Sequence, residues 1–113
     1  MGGGRMAWLM REDQVLASVE LVTDRLGRLR ALSGRIDGVL ALRPAWATHT
    51  LGAPGRVDII FCDSGLVVLE ILVDVAPNRV TRVRPRARCV IGAEAGFIGR
   101  HLLGVGDRLE IKD

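Results

Sequence analysis

Short apolar runs of period two, separated by turns rich in Gly and Pro, are the feature that most constrains what this chain can fold into. The alternation is regular over Gln14–Val22, and two β-branched runs at 57–62 and 66–75 are joined by Asp63-Ser64-Gly65. Such spacing predicts half-buried strands, and so short a connection predicts a hairpin. Further strands are predicted at 38–42, 80–91 and 108–112, with loops at 45–56 and 92–96.

Helical periodicity is confined to two short segments. Leucines recur every third residue within 23–33, and 97–103 has the pattern of one helical turn. Because strands do not alternate with full-length helices, the pattern disfavours a parallel βαβ sheet. The sequence predicts a mainly β (α+β) fold, a small antiparallel barrel or jelly-roll-like sandwich of about six strands with one or two short helices. We expect 66–75 to be a central strand.

The length of 113 residues fits a single domain, since domains usually have about 100–150 residues. Residues 1–13 contain three glycines and mixed charges without a period, so we expect a flexible N-terminal arm followed by one β domain over 14–113. No apolar run approaches the ~20 residues of a membrane span, and no signal-peptide core is evident. The sequence therefore predicts a cytoplasmic protein.

Cysteine and histidine are scarce, which bears on cofactors. Cys62 and Cys89 lie in apolar runs, which favours buried reduced thiols over the alternative, a cross-strand disulfide. The two histidines, His49 and His101, have no close ligand spacing, and no Ser or Cys lies in the context of an activated nucleophile. We therefore predict no metal and no other cofactor.

His49 and Asp58 are the residues best suited to chemistry. A loop His beside an Asp at the start of a strand can form a His–carboxylate pair, which acts as a general base or lines a ligand pocket. Arg35 or Arg79 would then hold an anionic group. The alternative is structural: His49 bonds the loop backbone, and Asp58 caps a turn or pairs with Arg56.

Four arginines alternate within 80–91, namely Arg82, Arg84, Arg86 and Arg88. On an extended chain they would share one face at a spacing of roughly 6.6–7 Å. This row is consistent with a charged guard on an edge strand next to Pro85, with pairing to Glu70 and Asp74, or with docking of an acidic protein. Nucleic acid is the weaker alternative, because residues 79–91 contain no aromatic side chain for stacking on bases.

Several motifs follow one another in a fixed order between residues 30 and 107, within a match that covers nearly everything from residue 17 to 111. They are Arg30 with 31–35, Thr48-His49-Thr50-Leu51-Gly52-Ala53, the run from Val57 to Asp63, Pro77-Asn78-Arg79, 90–96 and Gly106-Asp107. In order and spacing this set resembles the bacterial and archaeal family known as domain of unknown function 192.

The resemblance implies a compact, mainly β domain that is jelly-roll-like or barrel-like, and a family without a settled biochemical role. Three positions depart from the family pattern. Ala53 stands where relatives have Met, Gly92 where they have Glu, and Ala31 where they have Gly. The resemblance therefore implies a divergent member, with a ligand that is changed or absent.

These observations predict a non-enzymatic binding or accessory module of a bacterial cytoplasmic assembly, although enzymatic activity is not excluded. The first alternative is a divergent small-ligand or enzyme-like domain with a His49/Asp58 pocket. The second is contact of the arginine row with nucleic acid or an acidic partner. The identity of the partner is not accessible from the sequence.

Overall fold

The structure is a computed structural model that describes residues 4–24 and 38–113. Within these residues the chain forms seven strands and one short helix. In chain order they are β1 (Arg5–Arg11), β2 (Gln14–Val22), β3 (Val39–Leu42), β4 (Val57–Cys62), β5 (Val68–Val75), β6 (Cys89–Glu94), α1 (Phe97–Arg100) and β7 (Glu110–Lys112). The predicted helix at 23–33 falls largely on residues 25–37 and, like Arg35, lies outside the described residues.

The strands form one mixed sheet in the order β5-β4-β6-β3-β2-β1-β7. The pairs are antiparallel except β2–β3, which is parallel with Val19 opposite Val39. The prediction of an antiparallel sheet is therefore wrong at this pair, because β3 runs in the same direction as β2. The mainly β class is confirmed. The seven strands are not closed into a barrel.

The predicted N-terminal arm is wrong for Arg5–Arg11, which form β1 and pair with β2. Ala7 and Leu9 are buried, whereas Met6 and Trp8 point outward although they are apolar. Because apolar residues occupy both faces of β1, its sequence shows no alternation of apolar and polar residues. The connecting turn is Glu12-Asp13, with both residues at positive φ, as a two-residue type I′ hairpin requires.

β4 is a fully buried interior strand, whereas β5 stands at one end of the sheet, so the prediction that 66–75 is a central strand is wrong. All six residues of β4 are buried, and its side chains alternate between two apolar clusters. Ile60 and Cys62 enter one cluster, while Ile59 and Phe61 enter the other. In contrast, β5 ends the sheet order, and after the buried Val68 its apolar residues are partly buried or exposed, Val73 being 60% exposed.

The region 80–94 also differs from its prediction. The strand predicted at 80–91 begins only at Cys89 and continues to Glu94, through most of the loop predicted at 92–96. Pro85 lacks an N–H for strand pairing, and the N–H of Ala87 donates to the Arg84 carbonyl at 2.9 Å, which closes a turn over Pro85-Arg86. Cys89 pairs with Cys62 across β4 and β6, and both residues are buried free thiols, as predicted.

Candidate functional site

Residues 45–53 and residues 76–88 run antiparallel and are joined by backbone hydrogen bonds. The first segment lies in the loop predicted at 45–56, and the second contains most of the strand predicted at 80–91. We call this pair the loop ribbon. The Arg84 N–H donates to the Trp46 carbonyl at 2.9 Å, and the Thr50 N–H donates to the Arg79 carbonyl at 2.8 Å. Between these contacts His49 forms an isolated bridge with Val80. The ribbon therefore holds the His49 segment and the arginine segment as one unit.

Thr50 joins the two halves of the ribbon. It is 0% exposed, its Oγ1 donates to the Ala76 carbonyl at 2.7 Å, and the same oxygen accepts the Arg79 N–H at 2.9 Å. The Asn78 N–H donates to the Thr50 carbonyl at 2.8 Å. A hydroxyl is suited to this position because it donates and accepts at once.

The four predicted arginines do not form one row, because the turn at Pro85-Arg86 breaks the extended chain. Arg84 is directed inward. Its Nε and Nη2 donate to the two carboxylate oxygens of Glu70 at 3.1 and 2.8 Å, and its Cζ lies 4.3 Å from the centroid of the buried Phe61 ring. Arg84 is therefore held by a carboxylate and an aromatic face, which confirms the pairing with Glu70. Asp74 instead lies 3.6 Å from Arg56.

Arg88 folds back on its own segment. Its Nη1 donates to the carbonyls of Pro85 and Ala87 at 2.6 and 2.7 Å. Its Cζ lies 5.8 Å from the centroid of the Trp46 ring, which is partly exposed. Arg82 and Arg86 are exposed, and within the described part of the chain neither has an acidic partner.

A groove of about 460 Å³ lies between β5 and the arginine segment. It is lined by Leu69, Glu70, Arg82, Val83, Arg84, Pro85 and Arg86. Its volume is within the range of roughly 300–1,000 Å³ that is typical of ligand sites. Three arginines face one glutamate, so the lining carries an excess of two positive charges. We call this cavity the Arg groove.

The electrostatics of the groove depend on the Glu70–Arg84 pair. The hydrogen bonds from Arg84 lower the pKa of Glu70 below its ordinary value, and the charges of Arg84 and Arg82 act in the same direction. The same hydrogen bonds raise the pKa of Arg84. Glu70 is therefore ionised at neutral pH and neutralises Arg84, which leaves Arg82 and Arg86 as the free charges of the groove.

Asp58 has structural contacts. It is 1% exposed, its Oδ1 accepts the Asp74 N–H at 2.9 Å, and its Oδ2 accepts the N–H groups of Gly96 and Ile98 at 3.1 and 2.9 Å. All three donors are backbone groups, and none belongs to the His49 segment. Asp58 thus ties the end of β5 and the start of α1 to β4, which corresponds to the capping alternative.

His49 also contacts its own loop. Its Nδ1 accepts the Leu51 N–H at 3.1 Å, and the residue is half-buried. Neither His49 nor Asp58 lines the Arg groove. Arg79 is exposed and lies on the ribbon opposite Thr50, so the structure brings Arg79 close to the His49 segment but does not bring Asp58 to either of them.

A second, smaller cavity of about 240 Å³ lies beside α1 and was not predicted from the sequence. Its polar lining consists of Glu94, Arg100 and His101, and Glu94 lies 3.6 Å from Arg100. Burial lowers the pKa of His101, and the nearby positive charges of Arg100 and Arg11 add to this effect. The volume is below the usual range for ligand pockets of roughly 300–1,000 Å³.

Residues 4–24 and 38–113 contain neither a cluster of metal ligands nor a membrane-spanning helix. No group of three or more His, Cys, Asp or Glu side chains is arranged there to hold a metal ion. No helix in the same residues has the length and apolarity needed to cross a membrane.

The sequence predicted the arginines as a candidate surface, but it did not predict the Arg groove beside them. Leu69 and Val83 form the apolar lining, and both were interpreted as ordinary strand residues. Pro85 followed by Arg86 could have indicated the groove, because this dipeptide is typical of a turn. A turn at this point interrupts the extended row of arginines that was predicted.

The fold and the site define a small domain built on a mixed β-sheet with a basic groove at one sheet edge. Its fold is similar to that of a proposed transcription regulator from Sinorhizobium meliloti, with a TM-score of 0.75, 19% identity, and coverage of 96% of this chain and 95% of that chain. It is also similar to a protein of unknown function from Novosphingobium aromaticivorans, with a TM-score of 0.72, 15% identity, and coverage of 93% and 83%. No family model and no curated protein matches the chain.

Proposed function

We propose that this domain is a non-enzymatic binding module whose Arg groove receives an acidic segment of a partner protein. The observation that carries the proposal is the pair Arg82 and Arg86. Both line the groove, both are exposed, and in the described part of the chain both lack an acidic partner. Guanidinium groups bind carboxylates through paired hydrogen bonds, so two of them in a concave site favour an acidic ligand.

The lining of the groove favours a protein segment over nucleic acid. Leu69, Val83 and Pro85 give it an apolar surface, which suits the side chains of a peptide. Single-stranded nucleic acid is usually held by bases stacked on aromatic rings. The ribbon itself contains one such ring, that of Trp46, and it lies against Arg88 instead of lining the groove.

The contacts of the polar residues support a binding role over catalysis. The carboxylate of Asp58 already accepts three backbone hydrogen bonds, and Nδ1 of His49 already accepts one. Among the described residues that line the Arg groove there is no histidine, cysteine, serine or threonine. The one carboxylate of the groove, Glu70, has both oxygens held by Arg84, so the groove offers charge and shape rather than an unengaged nucleophile or base.

The test is binding of a fluorescein-labelled oligoglutamate peptide, measured by fluorescence anisotropy over a series of salt concentrations. We expect the double substitution Arg82→Glu/Arg86→Glu to weaken binding by at least roughly tenfold, because it replaces two attractive charges by repulsive ones. The matched control is Arg5→Glu/Lys112→Glu, which changes the net charge equally on exposed residues away from the groove. Thermal unfolding of each variant verifies folding.

Two results would overturn the proposal. Equal loss of binding in both double variants would show that only the net charge of the protein matters. Tighter binding of a labelled oligothymidylate than of the peptide, abolished by the Arg82→Glu/Arg86→Glu change, would assign the groove to nucleic acid. Weakening of peptide binding in the groove variant alone supports the proposal.

We also propose that the chain is a divergent relative of the domain of unknown function 192 family. Support comes from contacts between the motifs, which are distant in sequence. Gly52 of the His-Thr-x-Gly segment donates its N–H to Oδ1 of Asn78 at 3.0 Å, and Asp58 accepts the Gly96 N–H. A bridge between Val67 and Arg108 connects the chain before β5 to the chain before β7.

For its location we propose a bacterial cytoplasmic assembly. Cys62 and Cys89 lie directly opposite each other on neighbouring strands and remain free thiols. Burial raises the pKa of both thiols, that of Cys89 to about 12. Facing cysteines that stay reduced fit a reducing compartment. Mass spectrometry of the protein alkylated under denaturing conditions, directly after cell lysis, would detect two free thiols if this is correct and a disulfide if it is not.

A further inference from the structure

The outer edge of β5 is open beside the Arg groove. β5 ends the sheet order and pairs with β4 on its other side. In the part of the chain that the structure describes, no backbone group outside the sheet bonds to the backbone of residues 69–73. An edge strand directs alternate N–H and C=O groups outward, where they can pair with a further strand. This stretch of β5 is therefore a template for strand addition.

The outer edge of β5 is covered at both ends but not between them. At its start the Val68 N–H donates to the Asp107 carbonyl and the Gly106 N–H donates to the Val68 carbonyl, both at 2.8 Å. At its end the strand is interrupted. Asp74 has a φ of 57° and interrupts the regular strand, and Nη1 of Arg56 donates to its carbonyl at 3.0 Å. Bulges and charges of this kind block edge pairing. Ahead of Asp74 the charged residue on β5 is Glu70, whose carboxylate is occupied by Arg84, and Val73 is exposed. The open part is thus residues 69–73.

The groove and the open edge share residues. Leu69 and Glu70 belong to β5 and form one wall of the Arg groove, while Arg82 and Arg86 belong to the other wall. A chain lying along this edge would therefore run through the groove. Successive side chains of a strand point to opposite faces. Alternate side chains of the bound chain would therefore contact the arginines, and the remaining ones would contact Leu69 and Val83.

We infer that the acidic partner segment binds as an additional strand on the edge of β5, with acidic and apolar residues alternating along it. This inference rests on the proposed function and deepens it by assigning the backbone conformation and the residue pattern of the ligand. Main-chain hydrogen bonds to residues 69–73 supply affinity, as in other cases of strand addition. The arginines supply the preference for acidic side chains.

The test uses a labelled decapeptide of alternating Glu and Val, and two versions that are N-methylated at every second residue. In one version the Glu residues carry the methyl groups, and in the other the Val residues carry them. An added strand donates only alternate N–H groups to the edge, so only one version loses these bonds. We expect one version to bind at least roughly tenfold more weakly and the other to bind within roughly threefold of the parent peptide.

Hydrogen exchange provides the second readout on the folded protein. Addition of the parent peptide should slow exchange of outward amides within residues 69–73, and the weakly binding version should not. If both N-methylated peptides bind as tightly as the parent, or if exchange in β5 is unchanged, strand addition is wrong. The proposed function is then still supported by peptide binding that depends on Arg82 and Arg86. If the parent peptide does not bind at all, both proposals fail.

Discussion

Oδ2 of Asp58 lies 2.9 Å from the backbone nitrogen of Ile98, so a carboxylate in the buried strand β4 accepts a hydrogen bond from the first turn of α1. The same side chain accepts N–H groups from Gly96 and Asp74. One buried charge therefore connects three elements that are distant in sequence. Such a carboxylate is stabilised because each bond comes from a fixed backbone donor.

We expect Asp58→Ala to lower the free energy of unfolding by about 2–4 kcal/mol, because it leaves several buried N–H groups without an acceptor. Asp58→Asn should cost nearly as much, since an amide replaces one acceptor oxygen by a donor. Urea denaturation measures both. The control is Asp113→Ala, an exposed partner of Arg5, which should change stability by less than about 1 kcal/mol. Equal costs for Asp58→Ala and Asp113→Ala would contradict a structural role for Asp58.

The sequence predicts β2, β3 and β4 well, but it fails for β1 and for the position of β5 in the sheet. β2 and β3 alternate in polarity or follow a clear turn, and both were located within one residue. In β1, Met6 and Trp8 are exposed and apolar, and the Glu12-Asp13 turn lacks the glycine that usually marks a type I′ hairpin. In β5 the apolar content suggested a central strand, although position in a sheet is decided by pairing and not by local hydropathy.

The candidate site was predictable in its charges but not in its geometry. Alternating arginines are visible in the sequence, but the turn at Pro85-Arg86 breaks the row. Arg82, Arg84 and Arg86 line the groove, whereas Arg88 folds back on its own segment. Whether an arginine points inward depends on a partner distant in sequence, here Glu70 and the ring of Phe61. The roles of His49 and Asp58 were likewise left open, because a carboxylate that caps a helix and one that orients an imidazole have the same local sequence.

The Glu12-Asp13 turn offers a stabilising substitution. Asp13 has a φ of 65°, a conformation that a residue with a Cβ adopts at a cost and that glycine adopts readily. We expect Asp13→Gly to raise the free energy of unfolding by roughly 0.5–1 kcal/mol. Asp13→Ala is the matched control and should give no gain, because it retains the Cβ. Urea denaturation that ranks Asp13→Ala at or above Asp13→Gly would refute this account of the hairpin.

Thr50 should be sensitive to removal of its hydroxyl alone. Thr50→Val keeps the shape but loses the bonds to Ala76 and Arg79, which should cost about 1–3 kcal/mol because both backbone groups lose a partner. Since the ribbon holds the arginine segment, binding of the acidic peptide should weaken as well. Thr50→Ser retains the hydroxyl and should restore both properties in large part. A Thr50→Val protein with unchanged thermal stability would rule out the connecting role.

Glu70 both stabilises the fold through its pair with Arg84 and reduces the positive charge of the groove. Glu70→Gln tests these two effects separately. At pH 7 the variant should bind the acidic peptide several-fold more tightly, because Arg84 is no longer neutralised. Its stability should fall by less than about 1 kcal/mol, since the Glu70 side chain is 43% exposed and solvent screens the pair.

The pKa of Glu70 is lowered from 4.5 in the folded protein, so the stabilisation by the charged pair is fully present above that pH and is lost as the pH falls below it. The stability difference between wild type and Glu70→Gln should therefore be constant at neutral pH and shrink in acid, measured by urea denaturation from neutral pH into the acid range. A difference that grows on acidification would contradict the assigned direction, and unchanged peptide affinity would show that Glu70 does not limit the charge of the groove.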